Sequence, residues 1–318
     1  MSAMEPHHPP ALSAAVVVGM QRGRSQRALD ALCAQTAVDA MEIVVVDIAP
    51  PEVARLPTPP HVRVTYISRP TANLFAARHE LLRHVTSPVV AFVEEHCVAA
   101  PNWAEVLIET HKGPWAAVGY AFANANPQRY VSRAGLVNDY GLWMAPARRG
   151  ESRFLPEQNL SYKTAALAPF GDAIERLMAP DFVLHEELRA RGARMFVEAN
   201  AVVAHENFND FHGPWRAHFN YMRLLSARRA DRQGWSHGRR MAYGVAVLGA
   251  APVIGMWRRY RALVGRRELV PAFLAALPVC IVMALFAGVG ESVGYLFGEG
   301  DAERAIHHWE LVAERNGP

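Results

Sequence analysis

The stretch PVVAFVEEHC, residues 88–97, decides the fold. Its first six residues carry no polar side chain, which is typical of a strand buried on both faces in a parallel sheet. Glu94, Glu95 and His96 follow at once. In open α/β sheets, ligands bind beyond the carboxyl ends of the strands. The stretch therefore predicts a buried strand that carries two carboxylates and an imidazole to a binding edge.

The same pattern extends along the chain on both sides of this stretch. Short apolar runs predict further strands at residues 13–19, 42–47, 62–67, 115–122 and 194–204. Apolar residues at helical spacing predict helices at residues 25–38 and 72–85. Helices are also expected at residues 101–112 and 182–191. Strands that alternate with helices favour a doubly wound α/β sheet. Residues 124–160 have weak periodicity and are expected to form a long, partly irregular segment.

Composition excludes several classes of protein. Hydrophobic residues make up 51% of the chain and charged residues 20%, which is too apolar for disorder. A net charge of +3 is too small to indicate nucleic-acid binding by itself. Cys33, Cys97 and Cys280 lie far apart without a CxxC motif, so neither a disulfide framework nor a cysteine zinc site is expected to organise the fold.

The side chains after the fourth strand suit metal chemistry. A carboxylate and an imidazole can bind a divalent ion and leave coordination positions for phosphate oxygens. The alternative is a solvated loop, since polar residues after a strand are common. A nicotinamide-dependent dehydrogenase is disfavoured, because no G-x-G-x-x-G follows the first strand.

The order of short motifs resembles the family 2 glycosyltransferases of the GT-A fold, a Rossmann-like α/β fold that binds nucleotide-diphospho-sugars. The motifs are VVVGMQRG at 16–23, EIVVVD at 42–47, AARHELL at 76–82, AFVEEH at 91–96, QNLSYKTAAL at 158–167, DFVLHEELRARGARM at 181–195 and VVAH at 202–205. The resemblance covers roughly residues 12–212.

The resemblance implies an inverting sugar transfer and assigns a role to each matched residue. Asp181 corresponds to the catalytic base, although it also fits a helix N-cap. The nucleotide-sugar residues would be Gly19, Arg22, Asp47, Arg78, Glu94 and Glu95; the acceptor side would include Asn159; and the metal ligands would be Glu94, His96 and His205.

The metal motif departs from the family pattern. The resemblance implies a divalent ion, Mn²⁺ or Mg²⁺, as cofactor. Because Glu94-x-His96 replaces Asp-x-Asp, the identity of the ion and whether the enzyme requires one stay open. Arg22 or Arg24 is the alternative partner for the diphosphate, because guanidinium groups bind phosphate well.

The C-terminal third has a different character. Residues 214–240 contain seven Arg, and residues 258–268 contain five. Residues 269–290 run for 22 positions without a charge, enough to cross a bilayer at about 20 residues per span. Residues 241–257 are uncharged but contain Pro252. Two topologies follow: a two-pass hairpin, or an interfacial 241–257 segment beside a single crossing at 269–290.

These observations give one domain scheme and one expected function. The expected parts are a disordered leader at 1–11, a catalytic domain at 12–212, a basic juxtamembrane segment at 213–240, a membrane-associated segment at 241–298 and an acidic tail at 299–318. We expect a bacterial inner-membrane transferase with a cytoplasmic catalytic domain, no nucleic-acid partner, and a lipid-linked or cell-envelope glycan acceptor. The alternatives are a polyprenyl-phosphate sugar synthase and a catalytically inactive GT-A scaffold in a membrane assembly complex.

Overall fold

The computed structural model describes residues 9–211 and 213–313. Most of the expected leader, residues 1–8, therefore lies outside the described residues. The chain divides into two compact units. The first comprises Met1–Tyr120, Arg148–Glu175 and Leu188–Val203, and the second comprises Ala121–Ala147, Arg176–Glu187 and Ala204–Pro318.

Within the described ranges, the strands are β1 (Leu12–Val18), β2 (Met41–Asp47), β3 (Val64–Ser68), β4 (Val89–Phe92), β5 (Cys97–Ala99), β6 (Ala117–Asn124), β7 (Gly150–Glu151), β8 (Leu160–Lys163) and β9 (Met195–His205). The helices are α1 (Arg22–Cys33), α2 (Leu74–His84), α3 (Trp103–Thr110), α4 (Tyr130–Tyr140), α5 (Thr164–Leu167), α6 (Ile174–Leu177), α7 (Asp181–Ala190), α8 (Pro214–Arg232), α9 (His237–Leu263), α10 (Val270–Phe297) and α11 (Ala302–His307).

The sheet belongs to the first unit, and only the last residues of β6 and β9 extend beyond it. Its order is β3-β2-β1-β4-β8-β6-β9-β5, with β7 paired to β9. Strands β3, β2, β1 and β4 are parallel, as the alternation of strands and helices predicts. Strand β8 is antiparallel to both β4 and β6, so the sheet is mixed rather than uniformly parallel.

The parallel register brings the carboxyl ends of three strands together. Val18 pairs with Asp47, and the backbone N–H of Val93 donates to the carbonyl of Ala15 at 3.0 Å. Strands β1, β2 and β4 are buried along their whole length, which matches their largely apolar sequences, and the buried polar residues Ser13 and Glu42 bond each other. The loops that follow these three strands therefore meet at one edge.

The segment 124–160, expected to be partly irregular, contains α4 in the second unit, and most of its remaining residues lie outside helices and strands. Val131, Ala134 and Val137 of this helix are buried. Its pattern is weak because polar residues are buried as well. The hydroxyl of Ser132, for example, bonds the side-chain oxygens of Asn124 and Asn126 at 3.0 and 2.9 Å.

The end of the second unit is a bundle of long helices. Two of them, at His237–Arg261 and Arg267–Phe297, are long and apolar enough to cross a membrane by length and composition. Helix α9 continues through Pro252. Helix α10 approaches α8 so closely that a Cβ at Gly290 or Gly294 would collide with the α8 backbone. Glycine at these positions therefore permits the packing.

The segment at 213–240 is largely helical, and its arginines have partners inside the second unit. Arg228 bonds Glu299 at 2.8 Å and also pairs with Glu303. Arg223 pairs with Asp301 at 3.2 Å. The first residues of the acidic tail therefore neutralise part of the basic segment.

Candidate active site

Asp47 ends β2 and is bound by several neighbours at the sheet edge. Arg22, at the start of α1, contacts both of its carboxylate oxygens, at 3.0 and 2.8 Å. The hydroxyl of Tyr66 donates to the same carboxylate, and the N–H of Ala49 donates at 2.9 Å. Burial and the hydrogen bond to Asp47 raise the pKa of Tyr66, so its hydroxyl stays a donor. Tyr66 was not singled out from the sequence, because a tyrosine in a strand carries no distinctive signal.

The side chain of Glu95 is buried, and its carboxylate accepts hydrogen bonds from residues of the loop after β1 and of α1. Arg24 reaches one carboxylate oxygen through two nitrogens, at 2.9 and 2.5 Å. The other oxygen accepts from the N–H of Gly19 and the hydroxyl of Ser25, both at 2.6 Å. Burial raises the pKa of Glu95, while Arg24 and these hydrogen bonds oppose that shift. This carboxylate ties the loop after β1 to the loop after β4.

Glu94 has a different environment from its neighbour. Its backbone N–H donates to the side-chain oxygen of Asn159 at 3.0 Å, and the amide nitrogen of Asn159 donates to the Glu94 carboxylate. Asn159 is fully buried. The acceptor-side role assigned to it from the sequence stays a prediction, and in the structure its amide orients Glu94.

A group of possible metal ligands lies beyond β4. Glu94, His96 and Cys97 each offer one ligand atom, and these atoms all lie within 4.8 Å of one another. The carboxylate of Glu94 is 3.6 Å from the Nε2 atom of His96. Cys97, the first residue of β5, was not assigned to the site from the sequence. Its position directly after His96 is the signal that could have indicated it.

Arg78 lies inside α2 and is almost completely buried. Its guanidinium group sits 4.8 Å from the centre of the Phe92 ring, at the end of β4. It therefore contacts the strand that carries the metal-ligand group. Its predicted contact with the nucleotide-sugar stays a prediction.

The second unit holds the two other predicted residues. Asp181 is the first residue of α7 and is completely buried. His205 is the last residue of β9, and its Nδ1 atom lies 2.9 Å from the side-chain oxygen of Asn207. The ring of His205 is 4.8 Å from that of Tyr140. Their roles as base and metal ligand stay predictions.

The fold and the strand-end cluster define a class, the GT-A nucleotide-diphospho-sugar transferases. Residues 24–170 match glycosyl transferase family 2. The mannosyltransferase PcManGT from Pyrobaculum calidifontis, in complex with GDP-Man and Mn²⁺, has a similar structure, with 16% identity over 91% of this chain and 89% of that chain and a TM-score of 0.55. The S. aureus TarS 1–349 structure in complex with UDP is 13% identical over 89% of this chain and 90% of that chain, with a TM-score of 0.46.

No curated protein sequence matches this chain. The family match includes the loop after β4, and the similarity to PcManGT lies in the fold. The chain therefore carries a family 2 glycosyltransferase domain of the GT-A fold, and the protein is a glycosyltransferase.

Proposed function

We propose that this glycosyltransferase moves a sugar from a nucleotide-diphosphate donor to a lipid-linked or cell-envelope glycan with inversion at the anomeric carbon. The observation that carries this proposal is the grouping of Glu94, His96 and Cys97 beyond β4, inside the family 2 domain. The solved neighbours, bound to GDP-Man or UDP, support a nucleotide-sugar donor. We retain residues 12–212 as the proposed catalytic domain.

The donor would bind at the edge where β1, β2 and β4 end. The carboxylate of Asp47 accepts from Arg22, Tyr66 and Ala49, so a ribose or base would bind it by replacing one of these partners. Arg22 also contacts the carbonyl of Gly19 at 3.1 Å, so its charge lies beside the loop where a diphosphate would run. Glu95 holds that loop in place rather than binding the donor directly.

The donor set beyond β4 fits a divalent ion. Glu94, His96 and Cys97 offer oxygen, nitrogen and sulfur, and His205 is the predicted fourth ligand. Imidazole and thiolate favour transition-metal ions, so we propose Mn²⁺, or a softer ion, in preference to Mg²⁺. When bound, the ion would supply positive charge that stabilises the departing diphosphate.

Asp181 is the proposed general base. It would accept the proton of the acceptor hydroxyl while that oxygen attacks the anomeric carbon and the bond to the nucleoside diphosphate breaks. A single displacement of this kind inverts the anomeric centre. The position of Asp181 at the first turn of α7 also suits a carboxylate, because the positive end of the helix dipole lies there.

The acceptor is proposed to be membrane-bound because the second unit carries two long apolar helices. The expected site is the cytoplasmic face of a bacterial inner membrane, where nucleotide sugars are available. A lipid-phosphate acceptor would make the enzyme a polyprenyl-phosphate sugar synthase, and the acceptor assay below includes that case.

The test is donor hydrolysis and transfer by the detergent-solubilised full chain with a panel of nucleotide sugars. Mn²⁺, Zn²⁺, Mg²⁺ or a chelator is added in parallel, with polyprenyl phosphate or an envelope glycan extract as acceptor. We expect one nucleotide sugar to be consumed, chelator to abolish turnover, and product analysis to show inversion. Absence of turnover with every donor, together with absent nucleotide binding, would instead support the inactive scaffold.

A further inference from the structure

Helices α9 and α10 form an antiparallel pair in the second unit. Gly244 of α9 faces Leu296, Gly288 of α10 faces Pro252, and Gly255 of α9 faces Ala284. The partner residues rise on one helix as they fall on the other. These contacts run from Ala284 to Leu296 of α10, a stretch of about 18 Å at 1.5 Å per residue.

The turn between the two helices is tied to α4 and the residues after it. Arg259 donates to the side-chain oxygen of Asn138 at 2.6 Å. Arg266 donates to the carbonyls of Gly141 and Leu142 at 3.0 and 3.3 Å, and also to that of Met144. This turn is the end that would have to enter or cross the bilayer if the hairpin were inserted.

The opposite end of the pair is tied to α8. Arg223 donates to the carbonyl of Gly298 at 3.1 Å. Trp215 and Phe286 have ring centres 5.0 Å apart, and Gly290 lies against Phe219. Helix α8 therefore runs alongside the part of α10 from Phe286 to its end at Phe297.

Neighbouring helices would share the depth of α10 in a spanning orientation. Arg216, which is exposed on α8, would then lie near the middle of the bilayer beside the centre of α10. Helix α4 would follow the other half, because the Tyr130 hydroxyl donates to the carbonyl of Ala275 at 2.8 Å. This helix carries the exposed Arg133, and it also carries Asp139, whose side chain is 32% exposed and lies 2.9 Å from His218. Charged side chains are costly in the hydrocarbon core, so this packing disfavours a crossing.

The outward side of the pair is apolar. On α10 the exposed residues recur at helical spacing: Leu274, Pro278, Ile281, Val282, Leu285 and Val289. On α9 the exposed large apolar residues include Val245, Leu248, Val253, Ile254 and Trp257. Exposed apolar residues in this number mark an interaction site.

Charge and aromatic residues at the turn identify the partner of this surface. Trp257 and Tyr260 are more than half exposed, and Arg258, Arg261 and Arg267 are exposed beside them. Aromatic side chains favour the level of the headgroups, and arginines favour anionic lipids.

We propose that α9 and α10 lie in the plane of an anionic membrane surface, with their shared apolar face in the acyl chains and neither helix crossing. This inference rests on the membrane part of the proposed function and is independent of the donor. It replaces both topologies expected from the sequence. It also places the acidic tail on the same side of the membrane as α8, as Arg228 and its partners Glu299 and Glu303 require.

The test measures depth along α10 in the full chain bound to vesicles of phosphatidylglycerol and phosphatidylcholine in equal parts. Nitroxide labels are placed one at a time in a Cys33→Ser background by Leu274→Cys, Val282→Cys and Val289→Cys, because Cys97 and Cys280 are buried. We expect one shallow depth for all three labels. A label at Val282→Cys far deeper than the one at Leu274→Cys would show a crossing and overturn the proposal.

Two matched variants test the surface itself. Leu285→Arg should weaken vesicle binding at least tenfold, whereas Phe154→Arg, at an exposed position in the first unit, should leave it unchanged. Both should keep the circular dichroism of the parent. The proposal is wrong if Leu285→Arg leaves vesicle binding unchanged. It is also wrong if the parent forms a stable dimer that does not bind vesicles, because the apolar surface would then bind a second copy of the chain.

The depth profile requires no donor or turnover, so the two proposals fail separately. If the labels on α10 are shallow but the chain neither binds nor consumes any nucleotide sugar, the proposed sugar transfer is wrong and the in-plane position of α9 and α10 is supported. If the chain is fully active but the label at Val282→Cys lies deep, the sugar transfer is supported and the in-plane position is wrong.

Discussion

Buried charges are stabilised differently in the two units. In the first unit, the side chains of Arg24 and Glu95 are both buried, at 6% and 1% exposed. In the second unit, Arg228 is 7% exposed, but its partners Glu299 and Glu303 are 36% and 29% exposed. Arg228 also donates to the carbonyl of Ala179 at 2.6 Å, so it has more than one source of compensation.

Arg24 and Glu95 form one buried ion pair, whereas the charge of Arg228 is shared between two partly exposed carboxylates. Losing Glu95 removes the buried carboxylate that two nitrogens of Arg24 contact, whereas losing Glu303 leaves Arg228 with Glu299 and a carbonyl. A third buried carboxylate, Asp181, is proposed to act on substrate instead. The three carboxylates should therefore respond to mutation in three different ways.

The largest expected effect concerns Asp181. Asp181→Asn should lower turnover by roughly 10²- to 10⁴-fold and leave nucleotide binding nearly unchanged, because the amide cannot accept the proton. Steady-state kinetics and calorimetry measure the two quantities. Glu187→Gln on the same helix is the control and should stay close to the parent. Turnover of Asp181→Asn within a few-fold of the parent would remove the base assignment.

The next effect concerns stability. Glu95→Ala should lower the free energy of unfolding by about 3 kcal/mol, because it removes one partner of a buried ion pair. Glu303→Ala should change it by less than about 1 kcal/mol, since partly exposed ion pairs contribute little. Denaturant titration of both variants tests the comparison, and equal losses would contradict it.

A third prediction uses pH. Burial, reinforced by the charge of Lys163, lowers the pKa of His111 to about 4, below its ordinary value of 6.5. The folded state keeps the imidazole neutral, so its contribution is complete above pH 6.5 and is lost as pH falls towards 4. Unfolding free energy should drop by about 2 kcal/mol between pH 7.5 and pH 5 from this group. His111→Gln should remove that part of the pH dependence, and an unchanged pH profile would count against it.

The smallest expected effect concerns the metal ligand group. Cys97→Ser should weaken Zn²⁺ and Co²⁺ binding about tenfold or more and remove the thiolate-to-Co²⁺ absorption band, because the sulfur ligand is lost. Cys33→Ser is the matched control, since this cysteine lies outside the group. An identical Co²⁺ spectrum in Cys97→Ser would show that the thiol is not a ligand.

A companion variant tests the imidazole. His96→Asp should retain or strengthen Mg²⁺ binding, because it restores a hard oxygen ligand. His96→Ala should weaken metal-dependent nucleotide binding. If nucleotide binding by the parent ignores chelator, the metal assignment fails and Arg22 becomes the partner of the diphosphate.

The sequence predicted the first unit well because its signals are local. Apolar runs such as 42–47 and 88–93 have few ways to be buried, so strand positions and the polar residues after them follow directly. The antiparallel insertion of β8 could not be predicted in this way, because strand order depends on which distant segments pair. The burial of Glu95 beside the less enclosed Glu94 also depends on such distant contacts.

The sequence alone determined the strand cores, the family resemblance and the apolar character of α10, since each is fixed by neighbouring residues. The tertiary structure decided which of three adjacent polar residues binds Arg24, which cysteine joins the metal ligand group and which side of α10 is covered. A uniformly apolar helix has no periodicity that distinguishes its faces. Only the packing of α4, α8 and α9 against it does so, and for that reason length and hydropathy alone could not distinguish a crossing from the in-plane position that we propose.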